Sequence, residues 1–392
     1  MKSLDEAVLL SLAAKRHHVL RNDRIVLYAG ANLPSDTAMA AYSPGLSAYP
    51  AMGPSFGKEQ PETELVSHLE VAVGAAACAL FDAAWAESRL PSCTLANLAV
   101  YYAFARPGDL MLAPAAVHGG HFSQRRGGTP DLAGLVVEDL PFDAENCCLD
   151  AFAAAEMVLS RKPTLVMLGR SVMIKPDDVA PVAAAARKVG AKTIFDASHV
   201  AGLIAGRHYP NPLALGADIL TSSTYKTLLG RPHALVLGRD PKDARRLADV
   251  LETKLLANYD AGKLPSLLLT LQEAKTDIAS YAQHVVQNTK RLAALLRQEG
   301  LAVLSARDDE IGTHQLLVPL DASVSGPAKI SAMATRNILV GTCPDPTRAG
   351  REALRIGTQF ITAGTEPDLA AVARRFADVF ISSKNAAASR RL

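Results

Sequence analysis

The sequence predicts an α/β protein with a mostly parallel sheet and a smaller C-terminal α+β domain. Short apolar runs alternate with helical segments between residues 110 and 238, and this βα rhythm is typical of parallel sheets. After Arg239 the pattern changes to long helical stretches and short strands. The chain has 392 residues, of which 49% are hydrophobic and 20% charged, which is enough for two domains with cores of their own.

The elements are predicted in order from the N terminus. A helix extends to about Leu20, a strand follows at 25–28, and a Gly- and Pro-rich loop at 42–61 precedes a helix from Glu62 to about Ala86. Later strands are predicted at 110–113, 135–137, 164–168, 193–195, 219–220, 234–238, 301–304, 314–319, 338–340 and 354–358. The predicted units are an N-terminal helix and arm (1–41), a large domain (42–250), a small domain (251–382) and a mobile tail (383–392).

Composition and charge exclude several classes of protein. A net charge of +2 leaves no basic stripe, which argues against nucleic acid as a partner. Five cysteines without paired spacing argue against a disulfide framework or a cysteine metal site and favour a cytoplasmic location. Two acids precede the first apolar run, unlike a secretory signal, and the sequence predicts no membrane span.

Two residues at strand ends suggest a chemistry. Asp196 follows the apolar run 193–195, and Lys226 closes the hydroxyl-rich run 221–225 after the next strand. In an open α/β sheet such positions line the ligand crevice. Pyridoxal phosphate needs a lysine amine that holds it covalently and a carboxylate that keeps its pyridine nitrogen protonated. A single lysine is usually a solvated surface charge, but Lys226 is flanked by a tyrosine and two leucines.

Three consecutive motifs resemble the centre of serine hydroxymethyltransferases, which are pyridoxal-phosphate enzymes of the aspartate aminotransferase fold (fold type I). They are Asp-Ala-Ser-His-Val-Ala-Gly-Leu-Ile-Ala from Asp196, Tyr-Pro-Asn-Pro from Tyr209 and Thr-Ser-Ser-Thr-Tyr-Lys-Thr-Leu from Thr221. The resemblance implies a seven-stranded sheet, pyridoxal phosphate as cofactor, Lys226 as its Schiff-base lysine and Asp196 as the partner of its pyridine nitrogen. It also places His199 beside the phenolic oxygen of the cofactor and Thr224 in the cofactor site.

The same resemblance assigns further cofactor contacts. Ser92, Cys93 and Thr94 match the segment that holds the cofactor phosphate, with Cys93 in place of a glycine. Without the resemblance they would be a helix N-cap. His121, in Val-His-Gly-Gly-His-Phe, matches the histidine that stacks over the pyridine ring. His118 and His121 could instead bind a metal, but no third ligand is evident, so no metal is predicted.

Three residues are implied in substrate binding. Arg355, in Leu-Arg-Ile-Gly-Thr, matches the arginine that binds the α-carboxylate of an amino acid, for which a planar guanidinium is suited. Ser171 matches a serine near the cofactor and the substrate carboxylate. Asn32 is what remains of the family's N-terminal substrate loop, Ser-Glu-Asn.

Four departures from the family pattern concern proton transfer and folate. Ser47 stands where the family has its acid/base glutamate, and Tyr225 replaces the histidine before the Schiff-base lysine. Residues 230–234 and 258–266 differ from two glycine-rich loops, the second of which helps to handle the folate-borne one-carbon unit. The cofactor residues are therefore retained, whereas a tetrahydrofolate site is doubtful.

The pattern predicts a pyridoxal-phosphate enzyme acting at the α-carbon of an amino acid. The leading hypothesis is cleavage or formation of the Cα–Cβ bond of a β-hydroxy amino acid, by an aldolase or by a transaldolase that passes the glycine unit to another aldehyde. The β-hydroxyl then needs a base, for which His121, Tyr225 and a bound water are candidates.

Other readings of the sequence stay open. They are a decarboxylase with or without oxygen, a folate-dependent glycine/serine hydroxymethyltransferase, and a cofactor-binding protein without catalysis. The resemblance further implies a homodimer or tetramer, because in the family the loop that matches residues 42–61 reaches into the neighbouring subunit's active site.

Overall fold

The computed structural model describes residues 5–304, 310–364 and 366–388. Its helices are α1 (Glu6–Asn22), α2 (Asp36–Ala40), α3 (Pro44–Ser47), α4 (Glu64–Phe81), α5 (Cys93–Phe104), α6 (Thr129–Leu132), α7 (Ala151–Arg161), α8 (Ala180–Val189), α9 (Ala201–Ala205), α10 (Pro241–Val250), α11 (Leu264–Gln298), α12 (Gly326–Ala334), α13 (Gln359–Thr362) and α14 (Leu369–Ala388). Its strands are β1 (Ile25–Val26), β2 (Trp85–Glu87), β3 (Leu110–Ala113), β4 (Val136–Asp139), β5 (Phe142–Asp143), β6 (Cys148–Leu149), β7 (Leu165–Leu168), β8 (Lys192–Asp196), β9 (Ile219–Ser223), β10 (Ala234–Gly238), β11 (Gln315–Pro319), β12 (Ile338–Leu339), β13 (Gly341–Pro344) and β14 (Glu352–Gly357).

The large sheet has seven strands in the order β2-β10-β9-β8-β7-β3-β4. Neighbours from β9 to β4 are parallel, whereas β10 pairs antiparallel with both β9 and β2. The predicted α/β fold with a mostly parallel seven-stranded sheet is thus confirmed. Because the parallel strands point the same way, their carboxyl ends meet at one edge of the sheet.

Helices cover both faces of this sheet, since its central strands are apolar on both sides. In β8, Phe195 belongs to a core shared with α4, α8, α9 and α11. The preceding residue, Ile194, points to the other face and belongs to a core shared with α5 and α10. The sheet is therefore a rigid support for the side chains at its edge.

The C-terminal part of the chain folds around a three-stranded antiparallel sheet, β11-β14-β13. A separate core there includes Leu316, Ile356 and Phe376, and α12 packs between this sheet and α14. The N-terminal strand β1 pairs with β12, and Tyr28 bridges to Ile356. The N-terminal arm is therefore bound to the small sheet.

Three predicted elements differ from the structure. The predicted helix to Ala86 ends earlier, at Phe81, because Asp82 adopts a left-handed conformation with φ of 53°, and the edge strand β2 follows. The predicted strand at 301–304 was wrong, since the segment is not a strand and only its Leu304 N–H, which donates to the Leu317 oxygen, bonds to β11 among the described residues. The helix α14 extends past the predicted domain boundary at 382 as far as Ala388, residues 389–392 lie outside the described residues, and the mobility of the tail at 383–392 stays a prediction.

Within the described part of the chain, α4 is long and apolar enough to cross a membrane by length and composition. Core helices meet the same two criteria. Val66, Val73 and Leu80 of α4 are buried in the main core, and the helix packs against α11 and β2. Its apolar composition is therefore explained by this packing.

Candidate active site

The candidate site lies at the edge where the parallel strands end. β8 ends at Asp196, and the turn after β9 carries Lys226. β7 is followed by Ser171, and the loop after β3 carries His121. These four strands are neighbours in the sheet, so residues far apart in the chain come together at one edge.

Four donors fix the Asp196 carboxylate, which is 5% exposed. Asn97 Nδ2 and Gln124 Nε2 donate to Oδ2 at 2.9 and 2.8 Å. The Ser198 N–H donates to Oδ1 at 3.0 Å, and the Cys93 thiol lies 3.6 Å from the same oxygen. The three N–H donors fix the orientation of the carboxylate. The thiol is a weak donor, and a stronger N–H donor can displace it.

The sequence did not point to Asn97, Ser123 or Gln124. Asn97 Oδ1 accepts from the Thr221 hydroxyl at 2.7 Å, and its amide also donates to Ser123 Oγ at 3.0 Å. Gln124 Oε1 accepts from the backbone N–H of His121 at 3.0 Å. The available signal for Asn97 was an amide in an otherwise apolar helix, because such a group needs buried partners. Gln124 lies in a loop and carries no such signal.

Lys226 is partly buried in the turn after β9. Burial lowers the pKa of its amine, while Asp196 and Cys93 oppose this shift. Its Nζ lies 5.4 Å from the centre of the Tyr225 ring. A lysine with a lowered pKa offers more of the neutral, nucleophilic amine near neutral pH. This is the form that attaches an aldehyde cofactor.

The turn that follows Lys226 is tightly packed. Leu229 adopts a left-handed conformation with φ of 59°, which is rare for a residue other than glycine. The Thr227 hydroxyl donates to the His199 carbonyl oxygen and accepts from the Gly202 N–H, both at 3.0 Å. A Cβ at Gly202 would lie 1.9 Å from the backbone carbonyl oxygen of Thr227. Packing around this turn therefore fixes the backbone beside Lys226.

Ser123 orients His121. The Ser123 N–H donates to Nδ1 at 3.2 Å, and the Ser123 hydroxyl lies 2.8 Å from the same nitrogen. Because Asn97 donates to the Ser123 oxygen, the hydroxyl proton is directed to Nδ1. This network assigns the ring proton of His121 to Nε2. Burial lowers the pKa of His121, so the ring is neutral near neutral pH.

His199 is buried against a second histidine, His314, which the sequence did not point to. The two rings are nearly parallel, with centroids 5.6 Å apart and an interplanar angle of 10°. His314 Nε2 lies 3.2 Å from the Ala29 carbonyl oxygen, and burial lowers the pKa of His314 to about 3. Burial also lowers the pKa of His199. Both rings are therefore neutral and bring no charge to the site.

Arg355 reaches from β14 of the small sheet toward β7 of the large sheet. Its Nη1 donates to the Ser171 carbonyl oxygen at 2.9 Å, and Gln315 Nε2 donates to the same oxygen at 3.1 Å. The Ser171 hydroxyl makes no hydrogen bond within the described part of the chain. One side of the guanidinium is thus anchored, and Nη2 remains for a substrate carboxylate.

The N terminus of α5 is the candidate phosphate seat. Ser92 caps the helix by accepting from the Leu95 N–H at 3.4 Å, and Cys93 and Thr94 form the first turn. The Cys93 thiol is directed to Asp196, so the backbone N–H is what Cys93 can offer to a phosphate. The N-cap and the phosphate seat are compatible in this geometry, and phosphate binding by the three residues stays a prediction.

Two predicted site residues use their polar groups elsewhere. The Thr224 hydroxyl donates to the Arg231 carbonyl oxygen at 2.5 Å, so its proton is not free for a cofactor oxygen. The Asn32 amide donates to the Lys226 carbonyl oxygen and to the Tyr281 hydroxyl, both at 2.8 Å. Asn32 Oδ1 accepts from the Leu33 N–H. The structure thus shows structural contacts for Thr224 and Asn32, and their contacts with cofactor and substrate stay predictions.

Ser47 lies beside a carboxylate from another loop. Its hydroxyl donates to Asp260 and lies 2.8 Å from the Tyr42 hydroxyl. Farther along the same loop, Lys58 forms a buried ion pair with Glu70 at 2.6 Å. The segments 42–61 and 258–266, in which the sequence departs from the family pattern, are thus in contact with each other.

The residues present fit pyridoxal phosphate. Its aldehyde needs a primary amine, its pyridine nitrogen a carboxylate and its phosphate a helix N terminus. Lys226, Asp196 and the start of α5 supply these three groups. They lie at one edge of the sheet, since the Cys93 thiol is 3.6 Å from Asp196 Oδ1 and the strands β8 and β9, which Asp196 ends and Lys226 follows, are neighbours.

The chain matches the family model for serine hydroxymethyltransferase over residues 3–374. It belongs to the serine hydroxymethyltransferase family. It is 33% identical over 359 residues to an alpha-methylserine aldolase from Ralstonia sp, and the aligned region covers 90% of this chain and 82% of that protein. It is also 33% identical over 374 residues to a serine hydroxymethyltransferase from Aeropyrum pernix, and this aligned region covers 92% of this chain and 85% of that protein.

The fold of this family member is that of a solved structure. The crystal structure of L-threonine transaldolase from Pseudomonas fluorescens superposes with a TM-score of 0.86 at 24% identity, covering 96% of this chain and 88% of that one. The predictions of family and of fold type I are thereby confirmed. The chain is a pyridoxal-phosphate-dependent enzyme of the hydroxymethyltransferase and aldolase type.

Gly169, which follows β7, packs directly against the backbone of Asp196. Its φ is +81°, and a Cβ there would lie 2.2 Å from the Asp196 carbonyl oxygen. We expect Gly169→Ala to lower the free energy of unfolding by about 3 kcal/mol, from overpacking and left-handed strain, and to weaken cofactor binding. Gly190→Ala is the matched control, because Gly190 has φ of +78° and no atom lies within 4 Å of where the alanine methyl group would be. It should cost about 1 kcal/mol and leave cofactor binding unchanged in denaturation and absorbance titrations.

Proposed function

We propose that this enzyme cleaves and forms the Cα–Cβ bond of a β-hydroxy amino acid, as an aldolase or a transaldolase. The observation that carries the proposal is that Lys226 and Asp196 lie at one edge of the large sheet and that Arg355 reaches this edge from the small sheet. They are an amine, a carboxylate for the ring nitrogen and a cation for the substrate carboxylate. The similarity to an alpha-methylserine aldolase supports this class of substrate.

Arg355 orients the amino acid in this proposal. The guanidinium is anchored through Nη1 on the Ser171 carbonyl oxygen and binds the α-carboxylate through its remaining N–H groups. With the carboxylate fixed on one side, Arg355 would determine which bond at the α-carbon the amino acid presents for cleavage. When bound, pyridoxal phosphate supplies a ring that accepts the electrons of the broken bond. Asp196 keeps the ring nitrogen protonated.

In this proposal a bound water relays the β-hydroxyl proton to bulk solvent. His121 carries its own proton on Nε2, and its Nδ1 accepts from Ser123, so His121 can donate but not accept. Burial raises the pKa of the Tyr225 hydroxyl, which therefore stays protonated. Water can accept this proton and pass another on to solvent, so it relays the proton without keeping a positive charge.

Folate-dependent transfer is the second candidate function. It is favoured by the equal identity, 33%, of the chain to the serine hydroxymethyltransferase from Aeropyrum pernix. It is disfavoured by Ser47 in place of the acid/base glutamate and by the changed segment 258–266. We therefore place the folate-independent reaction first.

A substrate screen tests the proposal. The purified enzyme is incubated with serine, α-methylserine, threonine and aromatic β-hydroxy amino acids, with and without tetrahydrofolate, and aldehyde, amino acid and carbon dioxide are measured. We expect aldehyde release without tetrahydrofolate. Carbon dioxide release would support a decarboxylase instead, and strong acceleration of serine cleavage by tetrahydrofolate would support the second candidate. No product and no spectral change would support cofactor binding without catalysis.

Arg355→Lys should weaken substrate binding without loss of the cofactor. Lysine keeps the charge but lacks the planar fork, so one charge-assisted hydrogen bond is lost and KM for the amino acid should rise by about 10- to 100-fold. Arg374→Lys is the matched control, because Arg374 is exposed on α14 and its replacement should leave KM unchanged. An unchanged KM in Arg355→Lys would contradict the assigned role.

We also propose that the enzyme is a cytoplasmic homodimer in which the loop at 42–61 reaches the neighbouring site. None of the residues of α1 is buried within the chain, and Leu9, Leu10 and Leu12 are exposed, as expected of an arm that packs on a partner. The cysteines Cys78, Cys93, Cys147, Cys148 and Cys343 are free thiols, which suits a reducing compartment. Analytical ultracentrifugation tests the dimer, and an active monomer would contradict it.

A further inference from the structure

A chain of hydrogen bonds runs from the turn of Lys226 to the small sheet. Asn32 Nδ2 donates to the Lys226 carbonyl oxygen at 2.8 Å and to the Tyr281 hydroxyl at 2.8 Å. The Tyr281 hydroxyl donates to the Gln359 carbonyl oxygen at 2.8 Å. Gln359 begins α13, directly after the strand that carries Arg355. The chain therefore joins the backbone of the cofactor-binding lysine to the segment that follows the carboxylate-binding arginine.

The donors and acceptors in this chain are matched. The two amide hydrogens of Asn32 serve two acceptors, and its oxygen accepts from the Leu33 N–H at 3.0 Å. The Tyr281 hydroxyl accepts one hydrogen bond and donates one. Burial raises the pKa of Tyr281, so the donating proton stays in place across the working pH range. Because every polar side-chain atom of Asn32 and the Tyr281 hydroxyl has a partner in this part-buried chain, these two side chains favour one arrangement.

The far end of the chain is fixed by a second amide. Gln359 Nε2 donates to the Tyr28 and Ala31 carbonyl oxygens at 2.9 and 2.7 Å, on the same arm that carries Asn32. Three segments are thus held together, namely the N-terminal arm, the Lys226 turn and the start of α13. Tyr281 itself lies on α11, the helix that packs against both the large-domain helices and α14.

We infer that Asn32 and Tyr281 are positioning residues, which set the place of the Lys226 amine relative to Arg355. The inference rests on the proposed roles of Lys226 and Arg355. An amino acid bound to Arg355 must present its own nitrogen at the position of the lysine amine. A shift of the Lys226 backbone relative to β14 would misalign the two, and small misplacements of reacting groups are costly in rate.

Tyr281→Phe tests this inference, because it removes one hydroxyl and keeps the ring. We expect kcat to fall by about 10-fold, the effect of one buried hydrogen bond, with KM for the amino acid within about 2-fold of wild type. The cofactor-free variant should attach added pyridoxal phosphate more slowly, seen in near-visible absorbance. The midpoint pH, at which the pH-dependent change of that absorbance band is half complete, should also shift.

Tyr102→Phe is the matched control. The Tyr102 hydroxyl donates to the Leu132 carbonyl oxygen at 3.0 Å in a partly exposed place, so its loss should leave kcat, the attachment rate and the midpoint pH unchanged. Asn32→Ala provides a second test, because the two residues act in one chain. The double variant Asn32→Ala/Tyr281→Phe should lose no more activity than Asn32→Ala alone.

The outcomes separate the inference from the proposed function. If Tyr281→Phe lowers thermal stability but leaves kcat, the attachment rate and the midpoint pH at wild-type values, Tyr281 is structural only and the inference is wrong. If the effects of the two single variants add in the double variant, the chain does not act as a unit and the inference is also wrong. If wild type cleaves no β-hydroxy amino acid, the proposed function fails, while the attachment rate and the midpoint pH still decide the inference.

Discussion

Lys226→Ala should yield a folded, colourless and inactive protein. The variant lacks the amine that holds the cofactor aldehyde, so the near-visible absorbance of the purified protein should disappear. Activity should fall by at least about 10³-fold, the order expected when a group essential to the chemistry is removed. Circular dichroism should stay close to that of wild type, and the unfolding midpoint should match that of cofactor-free wild type, because a bound cofactor itself stabilises the fold. Absorbance spectra and initial rates check both parts.

Lys226→Arg is the control that separates charge from nucleophilicity. It keeps a cation beside Asp196, but a guanidinium stays protonated and cannot act as an amine nucleophile. It should be as colourless and inactive as Lys226→Ala. If either variant retained a covalently bound cofactor, another amine would be the attachment point and the assignment of the site would be wrong.

Asp196→Asn should retain the cofactor and lose most of the activity. The amide cannot keep the pyridine nitrogen protonated, so the ring becomes a weaker acceptor of electrons. Its NH₂ group would also face the Asn97 or Gln124 amides, which donate to Asp196 in wild type. We expect kcat to fall by about 10²- to 10⁴-fold, with attachment to Lys226 still visible by absorbance.

Asp218→Asn is the control for placing an amide in the same sheet. One oxygen of Asp218 accepts from the Thr193 N–H at 2.9 Å, at the opposite end of β8 from Asp196, and an asparagine oxygen can replace it. This variant should keep wild-type kcat. An Asp196→Asn enzyme with wild-type kcat would show that a charged partner of the ring nitrogen is unnecessary.

The sheet and the strand-end residues could be predicted from the sequence because their signals are local. Buried parallel strands are continuous apolar runs; Asp196 ends one of them, and Lys226 lies in the turn after the next. The motif around Arg355 lies on a single strand, β14. In each case a short segment contains both the element and the residue that it positions.

The supporting residues could not be predicted because their partners are distant in the chain. Asn97 and Gln124 meet Asp196 across 99 and 72 positions, and His314 stacks on His199 from another sheet. Asn32 shows the reverse problem. Its position in a motif suggested a contact with substrate, whereas in the fold its amide holds the Lys226 backbone.

The left-handed Leu229 sets a limit on how this enzyme can be made more robust. A leucine in that conformation costs about 1 to 2 kcal/mol relative to a relaxed backbone, and it lies three positions after Lys226, the proposed site of cofactor attachment. Glycine would relax the strain there, but it would also loosen the platform from which the amine projects. Efforts to raise the melting temperature should therefore leave this turn alone and use surface positions elsewhere in the chain.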